Sequence, residues 1–164
     1  MARNVVWSAF LPRTRSKAVF VLVATCYAFT AGALAQAISA VFAVSYAPVD
    51  PFAGSSLAFH VLDNLVFAPV IESLVLIGIF ELLRWLRFPV SLQVVCSAIA
   101  SAALHVFVSV GLALVVAPAW LIMAGVYLAW RRTSWKAGFI VVVSVHALLN
   151  FISLISNLSA LRNT

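Results

Sequence analysis

Four polar residues inside long apolar stretches could do chemistry in this chain, and they are Glu72, His105, His146 and Asn150. An ionised carboxylate in the middle of a membrane helix is unfavourable by at least about 2.5 kcal/mol, so it usually faces protein and has a function. A carboxylate in apolar surroundings can act as general base toward water. One histidine can orient that water, and the other histidine and the asparagine can donate hydrogen bonds to a developing oxyanion. The set is suited to hydrolysis of an amide.

Other interpretations of the same residues stay open. The hydrolysis described above requires no cofactor. A zinc version is also possible, in which Zn²⁺ is held by Glu72, His105 and His146 and keeps an open position for water. His105 and His146 could instead be axial ligands of a haem, which explains the histidines but not Glu72 or Asn150. A single histidine is more often a hydrogen bonder between membrane helices. Four such polar groups in three apolar stretches are hard to explain by packing alone.

The composition is that of an integral membrane protein. The chain has 164 residues, of which 65% are hydrophobic and 9% charged, whereas soluble domains are about 45–50% apolar and about 25% charged. We expect one membrane domain over residues 1–164, with the lipid bilayer as its main partner. The net charge of +6 lies in short clusters between apolar runs. Such clusters orient a membrane protein, and we expect no nucleic-acid binding.

Five apolar runs predict an all-α fold with five transmembrane helices, each close to the about 20 residues that a span requires. The predicted spans are residues 18–46, 59–86, 90–110, 112–130 and 137–158. Nine of the ten Lys and Arg residues lie in the N-terminal segment 1–17, the turn 84–87 and the loop 131–136. With five spans these three segments share one side of the membrane. The charge pattern therefore predicts a cytoplasmic N-terminus and a C-terminus outside.

Helical spacing predicts which of the polar residues share a face. His146 and Asn150 are four residues apart and lie on one face of the last span. A second stripe with the same spacing consists of Ser97, Ser101, His105 and Ser109. Asp63 and Glu81 each lie nine residues from Glu72, which is half a turn at 100° per residue, so both should point away from it. Glu81 can pair with Arg84 at i+3.

The order and spacing of these residues resemble the CAAX-protease and bacteriocin-processing family of intramembrane proteases, also called the CPBP or Abi family. The family pattern is Glu-Glu-x-x-x-Arg after a proline, then Phe-x-x-x-His, then His-x-x-x-Asn or Asp. The matching segments are Pro69-Val-Ile-Glu72, Ala103-Leu-His105 and the stretch Tyr127–Phe151, which ends in His146-x-x-x-Asn150-Phe. The resemblance covers about residues 67–151. The chain departs from the pattern at Ser73, Ile77 and Ser101, which replace the second Glu, the Arg and the Phe.

The resemblance implies a compact glutamic-type intramembrane endopeptidase in a bacterial cytoplasmic membrane. Glu72 would activate water with help from His105, and His146 with Asn150 would form the oxyanion site. The substrate would be a membrane-anchored or lipid-modified protein or peptide. The departures at Ser73 and Ile77 remove both members of a plausible ion pair, which strands no buried charge. They are compatible with an active divergent member, or with a catalytically silent member that acts as a binding partner or immunity factor.

Overall fold

The computed structural model describes residues 16–42 and 56–161, with side chains described as far as residue 156. Throughout this part of the chain the regular structure is helical. The five long helices are α1 Lys17–Val41, α2 Leu57–Trp85, α3 Val90–Phe107, α4 Val110–Arg131 and α5 Trp135–Leu161. Each is long and apolar enough to cross a membrane, which confirms the predicted all-α membrane fold with five spans. Residues 1–15 of the predicted N-terminal segment 1–17, and the end of the first predicted span, 43–46, lie outside the described residues.

Two of the helices are irregular close to the predicted site. In α2, residues Asp63–Phe67 form a π turn, and an ordinary α-helix resumes at Ala68. In α3, the last turn Leu104–Phe107 is a 3₁₀ helix. π turns and 3₁₀ turns inside longer helices are often found at functional sites.

The connection between α3 and α4 contains only Val108 and Ser109. Ser109 has an extended backbone, with φ −164° and ψ 151°, and its hydroxyl accepts the Leu112 N–H at 3.0 Å. A serine in this role is a good N-cap. It starts α4 at Val110, two residues before the start that the sequence predicted, and α3 ends three residues before its predicted end at residue 110.

Helix α4 lies at the centre of the bundle, where it packs against α1, α3 and α5. Helix α2 packs mainly against α3 and α5, and it also touches α4 directly through Phe80 and Glu81. The largest fully buried side chains include Trp120 and Tyr127 of α4 and Phe80 of α2. Many of the exposed side chains are large and apolar, such as Leu22, Leu34 and Ile99, which suits helices that face lipid.

The basic segments meet at one end of the bundle. The Lys17 ammonium at the start of α1 lies 5.8 Å from the ring centroid of Trp130 near the end of α4. Near the end of α2, Glu81 pairs with Arg131, the last residue of α4. The start of α1 and the ends of α2 and α4 therefore lie together, as the charge pattern predicted. That this end faces the cytoplasm stays a prediction.

Candidate functional site

Three of the four candidate residues meet between helices α2, α3 and α5. Glu72 Oε2 lies 3.7 Å from His105 Nε2 and 3.8 Å from His146 Nε2. Both separations are longer than the about 2.7–3.2 Å of a good N–H···O hydrogen bond. A single carboxylate oxygen thus faces two imidazole nitrogens that come from two different helices.

The turn between α2 and α3 brings Glu72 and His105 to the same depth. Glu72 lies thirteen residues before the end of α2 at Trp85, and His105 lies fifteen residues after the start of α3 at Val90. The tight turn between them uses Arg87 in a left-handed conformation, with φ 62°. Two antiparallel helices joined so closely must place these residues at similar heights, at about 1.5 Å of rise per residue.

The ring of Trp120 in α4 contacts both imidazoles. Trp120 was not among the residues that the sequence analysis predicted for the site. Its ring centroid lies 5.1 Å from that of His146, edge to face, and 6.1 Å from that of His105. Trp120 is only 2% exposed. Tryptophan in membrane helices is enriched at the interfaces, so a tryptophan in the middle of a predicted span was a signal that could have identified it.

The site is partly buried and its polar groups are not all paired. His146 is 6% exposed, whereas the side chains of Glu72 and His105 are 28% and 20% exposed. Within the described part of the chain, the buried atoms Glu72 Oε2 and His146 Nδ1 have no hydrogen-bond partner. Buried polar atoms normally have one, so these two atoms can serve a small polar ligand such as water.

His105 is oriented by its own helix. Its Nδ1 lies 3.4 Å from the carbonyl oxygen of Ser101, one turn earlier. That contact favours the tautomer in which Nδ1 carries the proton, because the carbonyl can only accept. The Nε2 atom that faces Glu72 is then free to accept a proton.

The fourth candidate, Asn150, binds elsewhere. Its Nδ2 donates a hydrogen bond to the backbone carbonyl of Asn64, at 2.9 Å. The amide that was expected to face an oxyanion with His146 therefore faces the π turn of α2. Asn64 was not among the predicted site residues. The sequence signal that could have identified Asn64 is Pro69, five residues later. Proline has no N–H, so it cannot donate a helical hydrogen bond to a preceding carbonyl.

The two other acidic residues of α2 are Asp63 and Glu81. Glu81 points away from Glu72, as predicted, and its carboxylate accepts hydrogen bonds from Arg84 Nε at 2.7 Å and Tyr127 Oη at 2.7 Å. It also pairs with Arg131. The predicted i+3 pair with Arg84 is confirmed, and the sequence did not indicate the partners on α4.

That Asp63 faces away from Glu72 stays a prediction, and it assumes a regular helix between the two residues, which the structure does not have. The π turn from Asp63 to Phe67 holds one more residue than an α turn. Because of this extra residue, the side chains before the π turn are rotated about the helix axis by about 100° relative to their positions in an uninterrupted helix. A nine-residue spacing across this turn is therefore no longer half a turn.

The positions at which the chain departs from the family pattern are buried. Ser73 is 0% and Ile77 7% exposed, and Ser101 is 0% exposed. A serine and an isoleucine in the places of a glutamate and an arginine leave no charge without a partner in this core.

The three converging side chains have the chemical types of a zinc site. Both Nε2 atoms lie 3.7–3.8 Å from the same oxygen of Glu72, and two ligands of a tetrahedral zinc ion, each about 2.0–2.2 Å from it, are themselves about 3.4 Å apart. A zinc ion held by Glu72, His105 and His146 is therefore compatible with these separations, and the site is described below by its three side chains alone.

No family model, no curated protein and no solved structure matches this chain. The resemblance to the CPBP family therefore depends on the motif residues, and a function has to be argued from the geometry of the site.

Proposed function

We propose that the protein is an intramembrane endopeptidase in which Glu72 activates a water molecule to hydrolyse a peptide bond. The observation that supports this proposal is the approach of His105 and His146, from two other helices, to one buried oxygen of Glu72. Ionisable residues are rare inside membrane helices and usually mark functional sites. The substrate is a membrane-anchored or lipid-modified protein or peptide, because the site lies within the spans.

The proposed reaction uses Glu72 as general base. As the water oxygen bonds to the peptide carbonyl carbon, Glu72 takes a proton from that water. His146, the more buried histidine, donates a hydrogen bond to the oxyanion that forms. The C–N bond then breaks and the proton held by Glu72 passes to the leaving amine, directly or through His105. Trp120, in contact with both rings, keeps the two imidazoles in place.

The geometry favours this function over a haem protein with His105 and His146 as axial ligands. Axial imidazoles present a ring nitrogen to iron from opposite sides of the porphyrin. In the structure both Nε2 atoms face the Glu72 carboxylate. A catalytically silent partner protein would have the same scaffold, and the substitutions at Ser73 and Ile77 favour it. Such a protein would have no need for two histidines that face a buried carboxylate oxygen without a hydrogen bond to any described residue.

Cleavage by purified protein in liposomes tests the proposal. The substrates are single-span and prenylated reporter peptides, and mass spectrometry detects new termini. In H₂¹⁸O one ¹⁸O atom should enter each new carboxylate. We expect Glu72→Gln and His146→Ala to lower the rate at least about 100-fold without loss of folded protein.

His60→Ala is the matched control, because His60 lies in α2, three turns from Glu72, and should leave cleavage unchanged. Full activity of both site variants on a cleaved substrate would remove the assignment. A folded wild-type protein that cleaves none of the reporters, together with specific binding of one of them, would favour the silent partner.

A further inference from the structure

The π turn of α2 ends at a proline, and this frees one backbone carbonyl from the helix. The Ala68 N–H bonds to the carbonyl of Asp63, five residues earlier. The next carbonyl, that of Asn64, would be paired with the nitrogen of residue 69, which is Pro69 and has no hydrogen. The Asn64 carbonyl therefore lacks its helical donor.

Asn150 replaces the missing donor from another helix. Its Nδ2 lies 2.9 Å from the Asn64 oxygen in a partly buried contact between residues 86 positions apart. Lipid cannot satisfy a free carbonyl within a membrane span, and each unsatisfied group there is unfavourable by several kcal/mol. The hydrogen bond is thus a specific tie between α2 and α5.

This tie lies beside the proposed site. Asn150 is one helical turn after His146 on the same face of α5, and the π turn directly precedes the segment of α2 that carries Glu72. The same two helices meet again where His146 Nε2 lies 3.8 Å from Glu72 Oε2. A hydrogen bond one turn away restricts both the sliding and the rotation of one helix against the other.

We propose that Asn150 is a positioning residue, which binds the Asn64 carbonyl released by Pro69 and thereby sets the distance between Glu72 and His146. Its effect on catalysis rests on the proposed peptidase function, whereas the hydrogen bond itself does not. The role differs from that of an oxyanion donor, since the Nδ2 atom is directed at the protein backbone rather than at a substrate.

A double-mutant cycle with Pro69 tests the tie without any substrate. Asn150→Ala strands the Asn64 carbonyl, so we expect it to lower the ratio of folded to unfolded protein about tenfold or more. Pro69→Ala returns an N–H to position 69, which can pair with that carbonyl. In the Pro69→Ala background, Asn150→Ala should therefore lower the ratio less than about threefold. The readout is reversible unfolding of the full chain in mixed micelles.

Two control variants accompany the cycle. Asn64→Ala removes the side chain but keeps the backbone carbonyl, so the dependence on Asn150 should persist. Ser144→Ala removes an exposed hydroxyl of α5 that bonds within its own helix, to the Ile140 carbonyl at 2.8 Å, and should have little effect. Equal losses on Asn150→Ala in both backgrounds would overturn the tie. If Asn150→Ala does not fold, Asn150→Leu, which also lacks the donor but fills a similar volume, takes its place.

The cleavage rate separates positioning from oxyanion stabilisation. A positioning role predicts that Asn150→Ala lowers kcat in the wild-type background, and that the double variant keeps most of the kcat of Pro69→Ala. An oxyanion donor would be lost in both backgrounds, with kcat about 10²–10³-fold lower in each, and that result would overturn the positioning role. If the wild-type protein cleaves nothing, the peptidase proposal fails while the unfolding cycle still decides the tie.

Discussion

Two glutamates of the same helix, Glu72 and Glu81, have opposite surroundings. The Glu81 carboxylate is satisfied by Arg84, Arg131 and Tyr127. Glu72 has one buried oxygen without a hydrogen-bond partner among the described residues, and that oxygen faces two histidines. A carboxylate whose hydrogen-bonding capacity is used up stabilises the fold, whereas one with an oxygen free of hydrogen bonds beside ring nitrogens can react. This difference assigns Glu81 to structure and Glu72 to the proposed chemistry.

The Tyr127 hydroxyl should contribute to stability through Glu81. It donates to Glu81 at 2.7 Å, and its ring is fully buried against Phe80, with centroids 5.1 Å apart. Because a hydrogen bond to a charged group contributes about 1.5–3 kcal/mol, we expect Tyr127→Phe to lower the free energy of unfolding by about 1.5 kcal/mol. Chemical unfolding in mixed micelles measures this change.

Tyr27→Phe is the matched control for that experiment. Tyr27 lies in α1 and is 52% exposed, so the loss of its hydroxyl should change the free energy of unfolding by less than about 0.5 kcal/mol. Equal effects of the two substitutions would mean that the contact between Tyr127 and Glu81 does not stabilise the protein.

At the scale of the helices, the close approach of α4 and α5 depends on Gly138. A Cβ atom at this position would lie 2.8 and 2.9 Å from two ring atoms of Tyr127 and 3.3 Å from the backbone nitrogen of Arg131. The Tyr127 ring is held by Phe80 and Glu81 and cannot move aside without breaking those contacts. Glycine is therefore required here so that the two helices can pack.

We predict that Gly138→Ala destabilises the protein by about 1–3 kcal/mol, as overpacking of a well-packed core usually does. Gly78 in α2 is the matched control, because a Cβ atom there would meet nothing within 4 Å. Gly78→Ala should be neutral or stabilise by up to about 1 kcal/mol through its better helix propensity. Thermal unfolding of both variants compares them, and a neutral Gly138→Ala would show that α4 and α5 separate readily.

Helical periodicity predicts which residues share a face only where a helix is regular. The three side chains Glu72, His105 and His146 meet although they come from separate helices. Asp63 is the first residue of the π turn, and the 100° rule does not hold across that turn. One extra residue in a turn changes the direction of all side chains on one side of that turn. The spacing of residues in the sequence does not show where such a turn occurs.

For the whole molecule, the distribution of Lys and Arg predicts orientation. One end of the bundle contains Lys17, Trp130 and the ion pairs of Glu81 with Arg84 and Arg131. Because positively charged segments stay on the cytoplasmic side, we expect this end to face the cytoplasm. The C-terminal end of α5 then faces the opposite side of the membrane.

Reporter fusions test this orientation in a bacterial inner membrane. Green fluorescent protein fused after residue 164 should not fluoresce, whereas alkaline phosphatase at the same point should be active. Fusion in the loop after Arg132 should give the reverse pattern, and it serves as the internal control. Fluorescence from the C-terminal fusion would contradict the predicted orientation, the span count or both.

The sequence by itself determined the class of the protein, its five helical spans and the candidates Glu72, His105 and His146. These follow from local properties, namely the length of apolar runs and the unfavourable burial of polar groups in lipid. Only the tertiary structure decided that Asn150 binds the Asn64 carbonyl, that Trp120 contacts both histidines and that Glu81 joins α2 to α4. Such contacts depend on the rotation and relative height of helices far apart in the chain, which are set by packing and by single irregular turns.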